Sequence, residues 1–381
     1  MTQTQEHNVP ALRFPEFSGE WDHHPIKELA EVKTGSRDTQ NRIPNGKYPF
    51  YVRSDTIERI NSFAYDGEAI LTSGDGVGVG KNIHYVNEKF DYHQRVYAIY
   101  KFKEGLFGPF FFQFFKENFL RRVMRLSAKN SVDSVRMSMI TDMPVPAPTL
   151  PEQQKIASFL SQVDRKIAQL GEKKALLQAY KKGMMQKLFS QELRFKDPQG
   201  HDFPDWEEKR LGEVAVCLDN KRKPLNSTER ASMQGPYPYY GANGQLDSIE
   251  DYIFDERIVL LAEDGGNFDA YATRPIAQNI SGKCWVNNHA HILRAKIEIC
   301  DHDYLFQSLV HKDIRKYING SSRAKLNKSD MMSIKGDYPS LPEQQKIADF
   351  LSSIDRKIDL VATELDHAKT FKKGLLQQMF I

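Results

Sequence analysis

Two glycine-rich stretches carry the side chains best suited to nucleic-acid chemistry. One reads Gly74-Asp75-Gly76-Val77-Gly78-Val79-Gly80-Lys81 and the other Tyr239-Tyr240-Gly241-Ala242-Asn243-Gly244. Loops poor in side chains let backbone amides come close to a duplex, and together with Lys81 they suit phosphate. Asn243 either pairs with a base edge or bonds within its own turn. The glycines equally suit tight turns with positive φ. Near these loops stand side chains with fork geometry: Arg53, Gln94 and Arg95 in the first half, and Asn287, Asn288, His289 and Arg323 in the second. Arg brackets guanine and Asn or Gln brackets adenine, each good pair discriminating by about 1–3 kcal/mol. Ser54 and Ser73 complete the first set. Two polar strings, Ser127-Ala128-Lys129-Asn130-Ser131 and Ser321-Ser322-Arg323-Ala324-Lys325-Leu326-Asn327-Lys328, combine short hydroxyls with cations. They suit phosphate clamping or serve as plain solvated connections.

Catalytic chemistry finds less support. No NPP tripeptide of the adenine-methylating kind occurs. Residues 74–81 imitate a nucleotide loop, but Gly76-x-Gly78 lacks its third glycine, and Gly80-Lys81 lacks the earlier glycine and the following Ser or Thr. Pro204-Asp205 with Glu207-x-Lys209 spells nuclease letters with carboxylates too close in sequence to share a metal from neighbouring strands. His289-x-His291 offers two ligands on one strand face without a third at a convincing spacing, so a structural histidine pair is expected and no metal. Cys217, Cys284 and Cys300 lie far apart, which argues against zinc and disulfides and for buried apolar residues.

The elements that must position these side chains come from a duplication. LPEQQKIASFLSQVDRKI begins at Leu150, and LPEQQKIADFLSSIDRKI begins at Leu341, 191 residues later. Thr149-x-x-Glu152 and Ser340-x-x-Glu343 have capping-box spacing, and Pro151 and Pro342 fall in the first turn. Apolar steps of four and three then run through Ile156, Leu160, Val163, Ile167 and Leu170, and through Ile347, Leu351, Ile354, Ile358, Val361 and Leu365. An average step of 3.5 predicts a coiled-coil seam over about 40 residues, a rod of roughly 60 Å. Each helix follows a globular part of mixed α/β character. Strands are expected at 48–52, 68–72, 81–86 and 95–102 with a helix at 107–125, then strands at 237–240, 258–262, 284–287 and 291–295 with a helix at 304–317. Hydrophobic residues make up 40% and charged residues 27%, with a formal net charge of +3, so local clusters such as Arg121, Arg122, Arg125 and Lys221, Arg222, Lys223 say more than the total. No signal pattern or long apolar run is found, and a cytoplasmic protein is expected.

The doubled PEQQKIA-x-FLS-x-x-DRKI segment, each copy following a domain entered through YPFY or YPYYGANG, resembles the specificity subunit of type I restriction-modification systems over nearly the whole chain. The DGEAILTSGDG run and the residues Leu260-Leu261-Ala262-Glu263-Asp264-Gly265 look like two types of that family's target-recognition domain. The resemblance implies an α+β fold: target-recognition domains at 1–148 and 192–339, and long helices at 149–191 and 340–381. The helices are expected to be antiparallel, relating the duplicated halves by a pseudo-two-fold axis. It implies a non-catalytic reader of double-stranded DNA that binds a split target and docks two modification subunits, to which restriction and motor subunits add. S-adenosylmethionine, ATP and magnesium are then expected on those partners and not on this chain. Two readers facing one side of B-DNA want targets about 34 Å apart, so the rods would act as a ruler. A coiled-coil adaptor without DNA specificity is the competing reading, and a stand-alone nuclease a weaker third.

Overall fold

The computed structural model describes residues 9–127, 134–320 and 324–380. Among these residues, four helices have eight residues or more: α1 (Gly108–Leu126), α2 (Leu150–Phe189), α3 (His302–Leu309) and α4 (Leu341–Met379). None is long and apolar enough to cross a membrane. The chain divides into two units. Unit one holds residues 1–172 and 363–381, and unit two holds residues 173–362. Each long helix therefore begins in one unit and ends in the other.

In unit one, β1 (Asp22–Pro25) runs beside residues 144–147 just before α2. The main sheet has six strands: β2 (Glu31–Thr34), β3 (Tyr48–Tyr51), β4 (Ile57–Ile60), β5 (Tyr65–Ser73), β6 (Ile83–Tyr92) and β7 (Val96–Tyr100), in the order β2-β7-β5-β6-β3-β4. The strand beside β1 is β8 (Pro144–Ala147). Pro109 opens α1, where a missing N–H costs little. Its Phe110, Phe111, Phe114, Phe115 and Phe119 recur at helical spacing and are buried, with the rings of Phe115 and Phe119 stacked 4.4 Å apart.

Unit two repeats the plan. β9 (Glu207–Arg210) is followed by β10 (Ala215–Cys217), β11 (Gln234–Gly241), β12 (Gly244–Ile249), β13 (Phe254–Asp255), β14 (Ile258–Ala262), β15 (Ala277–Ile280), β16 (Lys283–Val286) and β17 (Ala290–Ala295). Short β18 (Ile318–Asn319) pairs with β19 (Lys325–Leu326), and β20 (Lys335–Tyr338) pairs with β9 as β8 does with β1. Where β6 is continuous, its counterpart breaks into β15 and β16 around Gly282, whose φ is +83°. The six-stranded sheet accordingly becomes two of four strands, β10-β17-β14-β15 and β12-β11-β16-β13.

The repeated LPEQQ letters have a packing reason. Glu152 is fully buried and takes Nε and Nη2 of Arg13 at 2.7 and 2.8 Å. Glu343 is fully buried and takes the same atoms of Arg194 at 3.2 and 2.8 Å. The next residue bridges three backbone groups in each unit. Gln153 accepts the Phe107 N–H and donates to the carbonyls of Gly105 and Pro148. Gln344 accepts the Asp301 N–H and donates to those of Ile299 and Pro339. The expected capping boxes are thus corrected: both carboxylates turn to arginines, and the Ser340 hydroxyl is buried without a partner. A bidentate charge-assisted pair outweighs a cap that water could replace.

The expected seam is present within each unit. In unit one Asp164 receives Lys372 at 2.6 Å and Gln113 at 3.1 Å, while Ile156 and Leu160 share a core with Leu375 and Met379. In unit two Asp355 receives Lys181 at 2.7 Å and Gln307 at 2.9 Å, while Met185 and Leu188 share a core with Ile347 and Leu351. Partners descend on one helix as they climb on the other, so the pairing is antiparallel. The helix expected over 304–317 is shorter, because α3 stops at Leu309. Asp313 bonds the N–H and guanidinium of Arg315, a local alternative that competes with helical bonding.

Candidate nucleic-acid interface

In unit one, the loops after β3 and β5, before β7 and ahead of residue 136 meet around one carboxylate. Asp75 lies 3.2 Å from Arg53 Nη1 and 3.6 Å from Arg95 Nη1, and it is mostly shielded while both guanidiniums are more than half exposed. Backbone bonds fix the arrangement. Gly74 N–H donates to Arg95 O at 2.7 Å, Val135 N–H donates to Gly74 O at 2.7 Å, and Tyr97 Oη donates to Val135 O at 3.0 Å. Ser73 Oγ and Asn82 Nδ2 both donate to Arg53 O. Gly78 is required there, since a Cβ would stand 2.5 Å from that carbonyl.

Below this cluster His93 is buried, and its Nδ1 accepts the Arg95 N–H at 2.9 Å. Burial pushes the imidazole below its usual range, and the neighbouring Arg53 adds to the effect. Gln94 is placed beside the arginines, but its amide donates to Asp38 at 3.1 Å. Lys81 is exposed at the end of the glycine loop. Ser54 is exposed and its hydroxyl donates to Thr56 O.

Unit two uses the same backbone skeleton. Glu263 N–H donates to His289 O, and Leu326 N–H donates to Glu263 O. Asp264 stands where Asp75 does, each bridging antiparallel to the segment before its long helix. His289 takes the place of Arg95 and sets Nδ1 2.5 Å from Asp264 Oδ1. His291 takes the place of Tyr97, with Nε2 2.8 Å from Leu326 O. Asn287 takes the place of His93. It is buried, and its Oδ1 accepts the His289 N–H at 2.8 Å. Asn287 therefore serves the backbone, while Asn288 is exposed with its carbonyl on Arg222.

Asn243 bonds neither in its own turn nor to a neighbour in sequence, but donates to Gly265 O at 2.7 Å. The carbonyls of Gly241 and Ala242 accept from Gln278, and Gly244 has φ +142°. Tyr240 is half-buried beside the apolar cluster of β14 and β16. Lys325 pairs with Glu263 at 3.1 Å, and Asn327 donates to Asp330. Lys129, Asn130, Ser131, Ser322 and Arg323 lie outside the described residues.

Sequence reasoning placed Asp75 in the first loop but passed over Asp219, Glu263 and Asp264 as site residues. Arg222 of the basic run is not a free cation: it meets Glu263 at 2.5 Å and Asp219 at 3.3 Å. Asp219 also holds His291 Nδ1 at 2.6 Å and the Ile292 N–H. Burial works against the charge of Asp219, but the bonds from His291 and Ile292 outweigh it and hold the carboxyl below its usual range. Cys217, Asp219 and His291 bring a thiol, a carboxylate and an imidazole within 4.8 Å of one another. Both His291 nitrogens already face acceptors and Arg222 supplies the cation, so the set is satisfied as it stands. His289 and His291 answer to different acids. Asp75 and Asp264 each follow an apolar strand, as Gly74-Asp75-Gly76 and Glu263-Asp264-Gly265, but those letters do not show which side chains the acids meet.

A family profile described as the type I restriction modification DNA specificity domain matches residues 18–179 and 204–370. A putative type I restriction enzyme specificity subunit of Haemophilus influenzae is 36% identical over 147 residues, which are 38% of this chain and 36% of that protein. The type I restriction enzyme EcoDI specificity subunit of Escherichia coli is 21% identical over 396 residues, covering 94% of this chain and 87% of the relative. The crystal structure of the S subunit of a type I restriction-modification system from M. genitalium matches with a TM-score of 0.71 at 19% identity, over 98% of this chain and 99% of that one, a likeness of fold.

Proposed function

The chain belongs to the type I restriction-modification DNA specificity family, and from that premise we propose that it is the non-catalytic sequence reader of such a system. Each unit reads one half of a split duplex target. The observation that carries this reading is a single loop skeleton present in both units with unlike side chains on it: Arg53 and Arg95 around Asp75, against His289 on Asp264. A common frame with different tips suits two readers of different sequences. Lys81 and the loop amides of the first unit, and Asn243 and Asn288 of the second, are the nearest further contacts. The strings containing Lys129, Asn130 and Ser131, and Ser322, Arg323, Lys325 and Asn327, supply phosphate contacts.

The long helices set the unread gap between half-sites and dock the modification subunits. Leu176, Tyr180, Leu360 and Phe371 are large apolar residues that these helices leave exposed, which suits a protein partner. S-adenosylmethionine, ATP and magnesium belong to partner subunits in this reading. The test is retention of duplexes from a randomised pool by the full chain across a salt series. A split consensus with steep salt dependence is expected. Equal retention of every duplex overturns the reader, and no retention at any salt favours the adaptor. Inserting whole helical turns into both repeats should lengthen the gap and leave the half-sites alone; altered half-sites would contradict the ruler.

A further inference from the structure

Two arginines and a histidine face solvent in these loops, yet each has a carboxylate at its back. Asp75 and Asp264 occupy one topological position, defined by the paired bonds Gly74 N–H to Arg95 O and Glu263 N–H to His289 O, and by the bridges Asp75 with Ser134 and Asp264 with Lys325. Their side chains are 18% and 13% exposed, against 64% for Arg95 and 43% for His289. An acid beside a phosphate-bearing ligand lowers affinity for every sequence alike. Its presence at the same place in both units therefore calls for a compensating role.

We propose that Asp75 and Asp264 are positioning residues that hold the base-reading side chains of their units in one orientation, so that discrimination is gained where general affinity is given up. This inference rests on the reading of the chain as a DNA reader. Arg53 and Arg95 each direct one Nη toward Asp75. Nε and the other Nη of either guanidinium remain as a fork that matches the O6 and N7 acceptors of guanine. A long side chain left free would spread over many rotamers and meet phosphates as readily as base edges. In unit two Asp264 holds Nδ1 of His289, which leaves Nε2 for a base. The first half-site should therefore contain a guanine whose recognition depends on Asp75, and the second a position that depends on Asp264.

The experiment selects duplexes from a randomised pool with the full chain, comparing wild type with Asp75→Asn and Asp264→Asn. Asp75→Asn should flatten the preference for one guanine in the first half-site by roughly five- to a hundredfold, the range one fork contact supplies. It should raise retention of unrelated duplexes and leave the second half-site as sharp as before. Asp264→Asn should do the reverse. The untouched half-site in the same chain reports that the variant is folded. A uniform gain or loss of affinity with both consensus sequences intact overturns the positioning role and leaves the reader standing. Flattening of both half-sites by either variant overturns it also, as a sign of general damage. A wild-type chain without any preference removes the reader and this inference together.

Discussion

Unit one and unit two make the same backbone bonds with different side chains. The Arg95 N–H goes to a His93 ring nitrogen, and the His289 N–H to the Asn287 amide oxygen. The Val135 carbonyl is reached by the Tyr97 hydroxyl, and the Leu326 carbonyl by the His291 ring. What the fold needs at each point is one donor or one acceptor at a set reach, and several residue types satisfy it. The tips beyond that point are then free to differ. The contrast extends to the tryptophans that begin each unit: Trp206 Nε1 donates to Glu343, whereas Trp21 Nε1 is buried without a partner.

The strongest way to break this equivalence is at the clamps. Glu152→Ala and Glu343→Ala each leave a partly buried arginine without its carboxylate and should each cost about 3 kcal/mol in urea unfolding followed by tryptophan emission. Glu343→Ala should cost the more, since Trp206 also loses its acceptor; a loss in one unit only would show that the two clamps are not alike. Gly282→Ala comes next. It forces a left-handed conformation on a residue with open space around it and should lower stability by about 1–2 kcal/mol with no change in the first half-site. An unchanged melt would mean that the sheet break does not depend on that glycine.

A smaller effect separates the units by acidity. His93 faces Arg53, Asp38, Asp75 and Arg95, and burial holds its folded value below the usual range. A lowered folded value means that the neutral ring, which accepts the Arg95 N–H, is present at the ordinary histidine value of about 6.5 and above, and is lost only as the pH falls through the lower folded value. Discrimination by the first half-site should then weaken on acidification by about 1 kcal/mol, the net worth of one hydrogen bond. The second half-site has Asn287 at that place and should not weaken. His93→Asn should abolish the difference, and equal acid sensitivity of both half-sites in wild type would refute it.

Much of the architecture was legible. A period of 3.5 from Ile347 to Met379 depends only on which residues are apolar, and the structure buries that stripe. The strand at 258–262 reads correctly because a short apolar run between polar turns has few alternatives. The helix over 304–317 misled because propensity does not reveal that Asp313 bonds Arg315. The capping letters misled because a partly buried arginine 139 residues away competes for Glu152. In the candidate interface, Arg53 and Arg95 were singled out by their forks, and the structure brings both to Asp75. Asp75 stood only as part of a loop, since its role depends on two side chains brought in from distant strands, which spacing does not encode.

The arginine–glutamate clamp has one more implication. Its two ends lie 139 residues apart in the first unit and 149 in the second, yet each grips through the same four atoms, Nε and Nη2 of the arginine and both carboxylate oxygens. A fastening of that sort behaves as a socket of fixed gauge, indifferent to how much chain is looped between its jaws. The chain between the jaws differs in length and in its sheets from one unit to the other, while the foundation beneath it is the same in both.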